Sequence, residues 1–268
     1  MPEQRLSDAV DLDAALAGAL GEDGEHGLHV ARDVIDTPAD RWYGQLAVRT
    51  YTSVVDSPDI DVITPAATAI ELLRGYTWIR NQSLIQLTEE RPHSLTTDPE
   101  RALLAGDYLY TTAFKELTAV QSPGLHESID ALRTAVSNIT RSLARTYTES
   151  GPSESDQLAF FDATMGSLGE AATRIGASVA SGPSVPDDLI ASFGRRAGTA
   201  RGIEQLLHSD PSDATVVPPA LNEPKLQEYA AEQRENASNA LHDLISSSGA
   251  VSPPVSLATV ISRDEPRS

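Results

Sequence analysis

Apolar residues recur every three or four positions through most of this chain, which is the spacing of one face of an α-helix. The pattern is clearest at Val10, Leu12, Ala15, Leu16 and Leu20, and again at Ile129, Leu132, Val136, Ile139 and Leu143. Prolines interrupt it at intervals of helix length. The sequence therefore predicts an all-α fold.

Two of these breaks have the residues that start helices. Thr64-Pro65 and Asp98-Pro99 each place a side-chain oxygen before a proline. Proline is tolerated at the first helical position because the N–H that it lacks would have no helical partner there. We therefore expect helices to begin at both places. The proline-rich run from Ser209 to Pro224 has little apolar periodicity, so we expect a loop there.

The charge of the chain is strongly negative. Thirty-nine acidic residues face 20 basic ones, giving a net charge of -19, and only Lys115 and Lys225 are lysines. Nucleic acid and anionic membrane surfaces would repel such a protein. An acid-rich, lysine-poor surface is typical of adaptation to concentrated salt, where screening weakens charge repulsion. The alternative is an ordinary acidic cytosolic protein.

Cysteine is absent from the chain, which excludes disulfides, thiolate metal sites and a thiol nucleophile. No stretch reaches the roughly 18 uninterrupted apolar residues of a membrane span. The N-terminus is too charged for a secretion signal, so we expect a cytoplasmic protein. The length of 268 residues and the lack of an obvious linker predict one domain over residues 1–268, with a helix near the N-terminus.

Several stretches match one family in order and spacing. They are Ala66 to Leu73 (AATAIELL), Leu104 to Leu117 (LAGDYLYTTAFKEL), Thr164 to Ala177, Phe193 to Leu207 and Val255 to Arg263. Together they resemble the trans-isoprenyl diphosphate synthases, also called polyprenyl synthetases, over about residues 40–263. The resemblance implies an isoprenoid synthase-type helical bundle around a central cavity, with the segments Ala66 to Thr88 and Ile190 to His208 facing each other.

The resemblance also implies two aspartate-rich clusters that bind magnesium, and this chain lacks them. Carboxylates one helical turn apart can reach the same hard cation, and the magnesium then grips the allylic diphosphate. The matched positions are Asn81, Gln82 and Ile85 in the first cluster and Gln205, Leu206 and Ser209 in the second. None is a carboxylate, so we expect no metal cofactor and no catalytic residues in this chain alone.

Other positions of the family site are altered as well. Ala163-Thr164 stands at the family's Lys-Thr motif, and Glu90-Arg91 at its double arginine. Its N-terminal diphosphate site retains at best Arg41. Tyr76 stands where a bulky residue limits product length in the family.

Arginines remain beside the altered clusters, at Arg74, Arg80 and Arg201. Guanidinium groups could bind a diphosphate directly, because their forked donors match its oxygens. Alternatively they are solvated or paired with acids such as Glu71, Glu89 and Glu204. The predicted remnant of a ligand pocket consists of Tyr76, Arg80, Asn81, Gln82, Arg91, Thr164, Arg201 and Gln205.

Small residues recur every four positions at Gly194, Gly198 and Gly202, which would allow a neighbouring helix to approach closely. The charged residues between them, such as Arg195 and Glu204, exclude a membrane helix.

The function implied by the resemblance is that of a non-catalytic homologue in isoprenoid metabolism. Such a chain would form a homodimer, or a heterodimer with an active prenyl diphosphate synthase whose product length or stability it alters. Two alternatives remain open: a divergent active prenyltransferase, and a protein that binds an isoprenoid in the old cavity. We expect neither a nucleic-acid partner nor a membrane span.

Overall fold

The fold is known from a computed structural model that describes residues 10–21, 29–36, 40–88, 98–148, 154–180, 186–208, 214–219, 222–248 and 257–258. Within these residues there are ten α-helices and no strand, which confirms the predicted all-α fold. The helices are α1 (Leu12–Leu20), α2 (His29–Asp36), α3 (Trp42–Val54), α4 (Ile60–Thr88), α5 (Pro99–Thr118), α6 (Leu125–Thr148), α7 (Glu154–Phe161), α8 (Ser167–Ala180), α9 (Asp187–His208) and α10 (Glu223–Ser248).

The longest helix, α4, lies at the centre of the bundle. It packs against α3, α5 and α8, and α9 packs against α8 and α10. Ile63, Ile70 and Leu73 of α4 are completely buried. They belong to one contiguous apolar core that receives side chains from every helix from α1 to α10. Burial of this apolar surface is the main force that holds the helices together.

One predicted helix start is confirmed and the other is wrong. Asp98 caps α5, because its carboxylate accepts a 3.0 Å hydrogen bond from the backbone N–H of Glu100. In contrast, α4 begins at Ile60 and contains Pro65 in its second turn. Pro65 cannot donate to the carbonyl of Asp61, but Asp61 is exposed and water can satisfy that oxygen.

The glycine stripe of α9 lies against α8, as its spacing predicts. A Cβ at Gly194 would come within 2.4 Å of the carbonyl oxygen of Gly169, and one at Gly198 within 3.0 Å of the Cα of Gly169. One at Gly202 would come within 2.3 Å of the Cγ of Met165. The two backbones therefore meet with no room for side chains between them.

A single π-helical turn, Asp162–Gly166, joins α7 to α8. The three elements are continuous, so residues 154–180 form one helical rod with an extra residue in its middle. Such turns occur often at functional sites. No helix in the described part of the chain has the length and apolar character needed to cross a membrane.

Candidate functional site

The first predicted cluster lies on the inner face of α4. Asn81 is completely buried, and Gln82 and Ile85 are 7% and 5% exposed. Buried amides need hydrogen-bond partners, because an unpaired polar group in the interior costs about 1–3 kcal/mol. The hydrogen-bond partners of Asn81 therefore show which part of the chain lies against the first predicted cluster.

Asn81 binds the backbone of an extended segment, residues 214–219, which we call the Val217 segment. The N–H of Val217 donates to Asn81 Oδ1 over 2.8 Å, and Asn81 Nδ2 lies 3.5 Å from the carbonyl oxygen of Val217. Tyr147 completes the arrangement from α6. Its hydroxyl donates to that same carbonyl over 2.9 Å and accepts from Asn81 Nδ2 over 2.8 Å.

The Val217 segment also contacts the second predicted cluster. The hydroxyl of Thr215 donates to Gln205 Oε1 on α9 over 3.5 Å. Ala214, Thr215 and Val216 are at most 1% exposed. One stretch of chain thus contacts both of the clusters that the sequence predicts.

These side chains do not fit a magnesium ion. Asn81 and Gln205 offer neutral oxygens, and the oxygen of Asn81 already accepts from Val217. Magnesium binds through carboxylates and gives up its water reluctantly. Across the described residues, no group of three or more histidine or acidic side chains could hold a metal ion.

Arg80 is held between α4 and α5. It forms an ion pair with Asp107 of α5, and its guanidinium lies 5.4 Å from the ring centroid of Tyr76. Tyr76 is 9% exposed and packs against Tyr110, with ring centroids 5.7 Å apart. Tyr76 therefore has the contacts of a core residue.

The other two arginines are paired as well. Arg74 binds Glu71 over 2.8 Å, one of the acids that the second alternative named, whereas Arg201 pairs with Asp40. Glu204 pairs with Arg234 instead of Arg201. Glu89 and Arg91 lie outside the described residues.

Buried guanidinium nitrogens of three arginines at the site have no hydrogen-bond partner among the described residues. They are Arg41 Nη1, Arg74 Nη2 and Arg80 Nε. Arg41 reaches Asp13 of α1 through its Nε over 2.7 Å, and it is the one described residue other than glycine with positive φ, at 52°. Unsatisfied buried N–H groups of this kind favour an anion.

The position that matches the family's Lys-Thr motif lies in the π-helical turn. Thr164 is completely buried and donates to the carbonyl oxygen of Phe160 over 2.6 Å. The residue before this motif, Asp162, makes the more extensive contacts. It accepts from Thr199 of α9 over 3.0 Å and from the hydroxyl of Tyr229 of α10 over 2.7 Å.

Two tyrosines near the site have raised pKa values. Burial, and then the hydrogen bond to Asp162, raise the pKa of Tyr229 far above its ordinary range. Burial also raises the pKa of Tyr43, while the positive charge of Arg201 opposes the rise. The hydroxyl of Tyr43 lies 3.3 Å from Met165 Sδ, a weak acceptor. Both phenols are therefore neutral at ordinary pH.

A concave pocket of about 390 Å³ lies elsewhere, between α6, α8 and the start of α9. The charged residues of its lining are Arg174 and four acids, Glu127, Asp130, Glu170 and Asp187, and none of the site residues described above lines it.

Sequence reasoning missed three residues that form the site as it stands: Tyr147, Asp162 and Val217. Asp162 directly precedes the Ala163-Thr164 match, which is a usable signal. Tyr147 and Val217 lie 66 and 136 residues from Asn81 along the chain, and no local pattern marks either.

Comparison with known proteins agrees with this architecture. No protein-family profile matches the chain. A short chain isoprenyl diphosphate synthase from Methanocaldococcus jannaschii is 28% identical over 166 residues, which cover 58% of this chain and 50% of that protein. The match therefore spans half the length of that relative.

Solved structures match over almost the whole chain. The geranyltransferase from Helicobacter pylori superposes with a TM-score of 0.73 at 16% identity, covering 97% of this chain and 98% of that one. The chain has the isoprenoid synthase fold. A second example of the isoprenoid synthase fold is the deletion mutant of the heterotetrameric geranyl pyrophosphate synthase from mint. Its TM-score is 0.68 at 15% identity, with 98% of this chain and 99% of that one covered.

Proposed function

We propose that this chain is a non-catalytic, cytoplasmic member of the polyprenyl synthetase family that pairs with an active prenyl diphosphate synthase in isoprenoid metabolism. The observation that carries the proposal is the bond between Asn81 and Val217. By the resemblance, position 81 belongs to the family's first magnesium-binding cluster, and in this chain its side chain is bound to the chain's own backbone. Metal-assisted departure of diphosphate needs charge neutralisation at that point.

The similarity to known proteins supports both parts of the proposal. The Methanocaldococcus jannaschii relative is an isoprenyl diphosphate synthase, which points to the same metabolism. The mint geranyl pyrophosphate synthase is a heterotetramer, so the isoprenoid synthase fold works there together with an unlike chain. This chain would contribute packing to a partner's cavity wall and thereby alter product length or stability.

Purification of the tagged chain from its own host tests the pairing. We expect a synthase with both aspartate clusters intact to be recovered with it, and no such protein from cells that express the tag alone. The purified chain, given magnesium, isopentenyl diphosphate and an allylic diphosphate, should form no product. Product formation by the chain alone would instead establish a divergent prenyltransferase.

A second candidate function is metal-free binding of an isoprenoid diphosphate. The unpaired nitrogens of Arg41 and Arg74 favour it, because a diphosphate oxygen would supply the missing acceptor. Titration with geranylgeranyl diphosphate in the presence of a chelator tests this function. Arg74→Gln should then weaken binding at least about tenfold, while Arg133→Gln, which alters an exposed pair with Asp130, should not.

The surface composition supports a further part of the proposal, adaptation to concentrated salt. Twenty basic residues do not neutralise 39 acidic ones, so like charges repel across the surface. Concentrated salt would screen this repulsion and stabilise the folded chain.

A further inference from the structure

The contacts of Asn81 depend on its being an amide. Its oxygen accepts from the N–H of Val217, and its nitrogen donates to the hydroxyl of Tyr147 and lies near the carbonyl of Val217. An amide supplies both an acceptor and two donors, whereas an ionised carboxylate only accepts. An aspartate at position 81 would face the carbonyl of Val217 with a negative charge and no donor.

The first three residues of the Val217 segment are buried like a part of the core. Ala214 is completely buried, Thr215 and Val216 are 1% exposed, and Thr215 reaches Gln205 on the opposite helix. Residues without helical structure are seldom this buried, because their backbone groups must find partners. Here Asn81 and Tyr147 supply those partners for Val217.

We propose that the Val217 segment is an internal plug that closes the space between α4 and α9, and that Asn81 is the residue that latches it. The amide at position 81 thus holds the Val217 segment in place, in addition to lacking the charge of a metal-binding carboxylate. Tyr147 supports the latch, since its hydroxyl bonds to both Asn81 and Val217. The plug does not depend on a partner subunit. The inference rests on the proposed function only because an isoprenoid diphosphate is used to probe the opened space.

Amide hydrogen exchange followed by NMR tests the latch in the full chain. In the wild type, the N–H of Val217 should exchange slowly. Asn81→Ala should accelerate its exchange at least about 100-fold, since the substitution removes the acceptor of this N–H and the amide that donates to the Tyr147 hydroxyl. Asn81→Asp keeps the size and the acceptor of this N–H but cannot donate to Tyr147 or to the carbonyl of Val217, so it should accelerate the same amide less than Asn81→Ala does.

Binding of geranylgeranyl diphosphate to the same variants tests whether the plug closes the space. We expect Asn81→Ala to bind this probe at least about tenfold more tightly than the wild type, because plug displacement no longer opposes binding. Asn138→Ala is the matched control. Asn138 also donates from its amide, to Ser167 over 3.3 Å, but it does not touch the plug.

These outcomes distinguish a plug that Asn81 holds in place from an Asn81 side chain that only stabilises the fold. Unchanged exchange of the Val217 amide in Asn81→Ala would overturn the latch, and released exchange without a gain in binding would overturn the plug. Should Asn81→Ala fail to fold, as judged by its helical circular dichroism, Tyr147→Phe provides the milder variant. It removes one hydroxyl and should accelerate the Val217 amide about tenfold. None of these results tests partnership, which the purification experiment addresses separately.

Discussion

Glu71 accepts a 2.7 Å hydrogen bond from the backbone N–H of Gly44 although its side chain is completely buried. Its second oxygen accepts from Arg74, which is itself 6% exposed. The carboxylate thus ties the first turn of α3 to the middle of α4. Gly44 allows this approach, because a Cβ there would lie 3.0 Å from Glu71 Cγ and 2.9 Å from Leu12 Cδ1.

Loss of this buried charge should destabilise the fold. Glu71→Gln leaves the guanidinium of Arg74 without a counter-ion, so we expect the free energy of unfolding to fall by about 3 kcal/mol. Urea unfolding followed by circular dichroism measures it. The double variant Glu71→Gln, Arg74→Met should cost less, since no lone charge stays buried. Glu116→Gln, which alters a long, 3.7 Å pair between a half-buried carboxylate and the exposed Lys115, should change stability by less than about 1 kcal/mol.

The contact between α8 and α9 should not tolerate a methyl group. A Cβ at Gly169 would lie 2.1 Å from the carbonyl oxygen of Gly194, which is backbone and cannot rotate away. We expect Gly169→Ala to cost at least about 2 kcal/mol in spite of the higher helix propensity of alanine. Gly18→Ala in α1 is the matched control. A Cβ there meets nothing within 4 Å, so this change should stabilise the fold by about 0.5 kcal/mol.

The raised pKa values of Tyr43 and Tyr229 predict loss of stability in alkaline solution. In the unfolded chain both phenols ionise near pH 10, whereas burial keeps them neutral in the fold. The folded state then holds more protons, so the free energy of unfolding should fall as pH rises above about 10.

Tyr43→Phe should make this fall shallower, because the phenylalanine has no proton to lose. At pH 8 the variant should keep nearly the stability of the wild type, since the bond from Tyr43 to Met165 is weak. Urea unfolding at pH 8 and at about pH 10.5 measures both effects. An equally steep fall in the variant would show that other groups cause the alkaline loss.

The net charge predicts a rise of the thermal unfolding midpoint with potassium chloride. Most of the rise should occur below about 1 M salt. At that concentration the Debye length is already about 3 Å, so the repulsion between surface carboxylates is screened. Differential scanning calorimetry over a salt series provides the measurement. A midpoint that stays constant or falls with salt would contradict the proposed adaptation.

The sequence predicted the parts of this molecule that depend on local chemistry. Helical periodicity led to the all-α fold, Asp98 caps its helix, and the glycine stripe of α9 meets α8. The resemblance led to the isoprenoid synthase fold. The predicted start of α4 was wrong, because a proline in the second turn is tolerated when the residue whose carbonyl loses its donor, here Asp61, is exposed to water.

The contacts of the site could not be predicted in the same way. Periodicity shows that Asn81 faces inward, but its partner Val217 is 136 residues away, and the bond depends on how the whole bundle assembles. The sequence also left open whether the three arginines bind a ligand. Their acidic partners include Asp107 and Asp40, which become neighbours only after folding.

The π-helical turn also changes which residues of α7 and α8 lie on the same face of the continuous helix. Each residue of an α-helix turns the chain by about 100°, so the extra residue rotates everything before it relative to α8. Deleting one residue within 163–166 would convert residues 154–180 to regular α-helix and rotate Asp162 away from Thr199 and Tyr229. The insertion therefore sets the rotation of α7 relative to α8, although both helices belong to one rod.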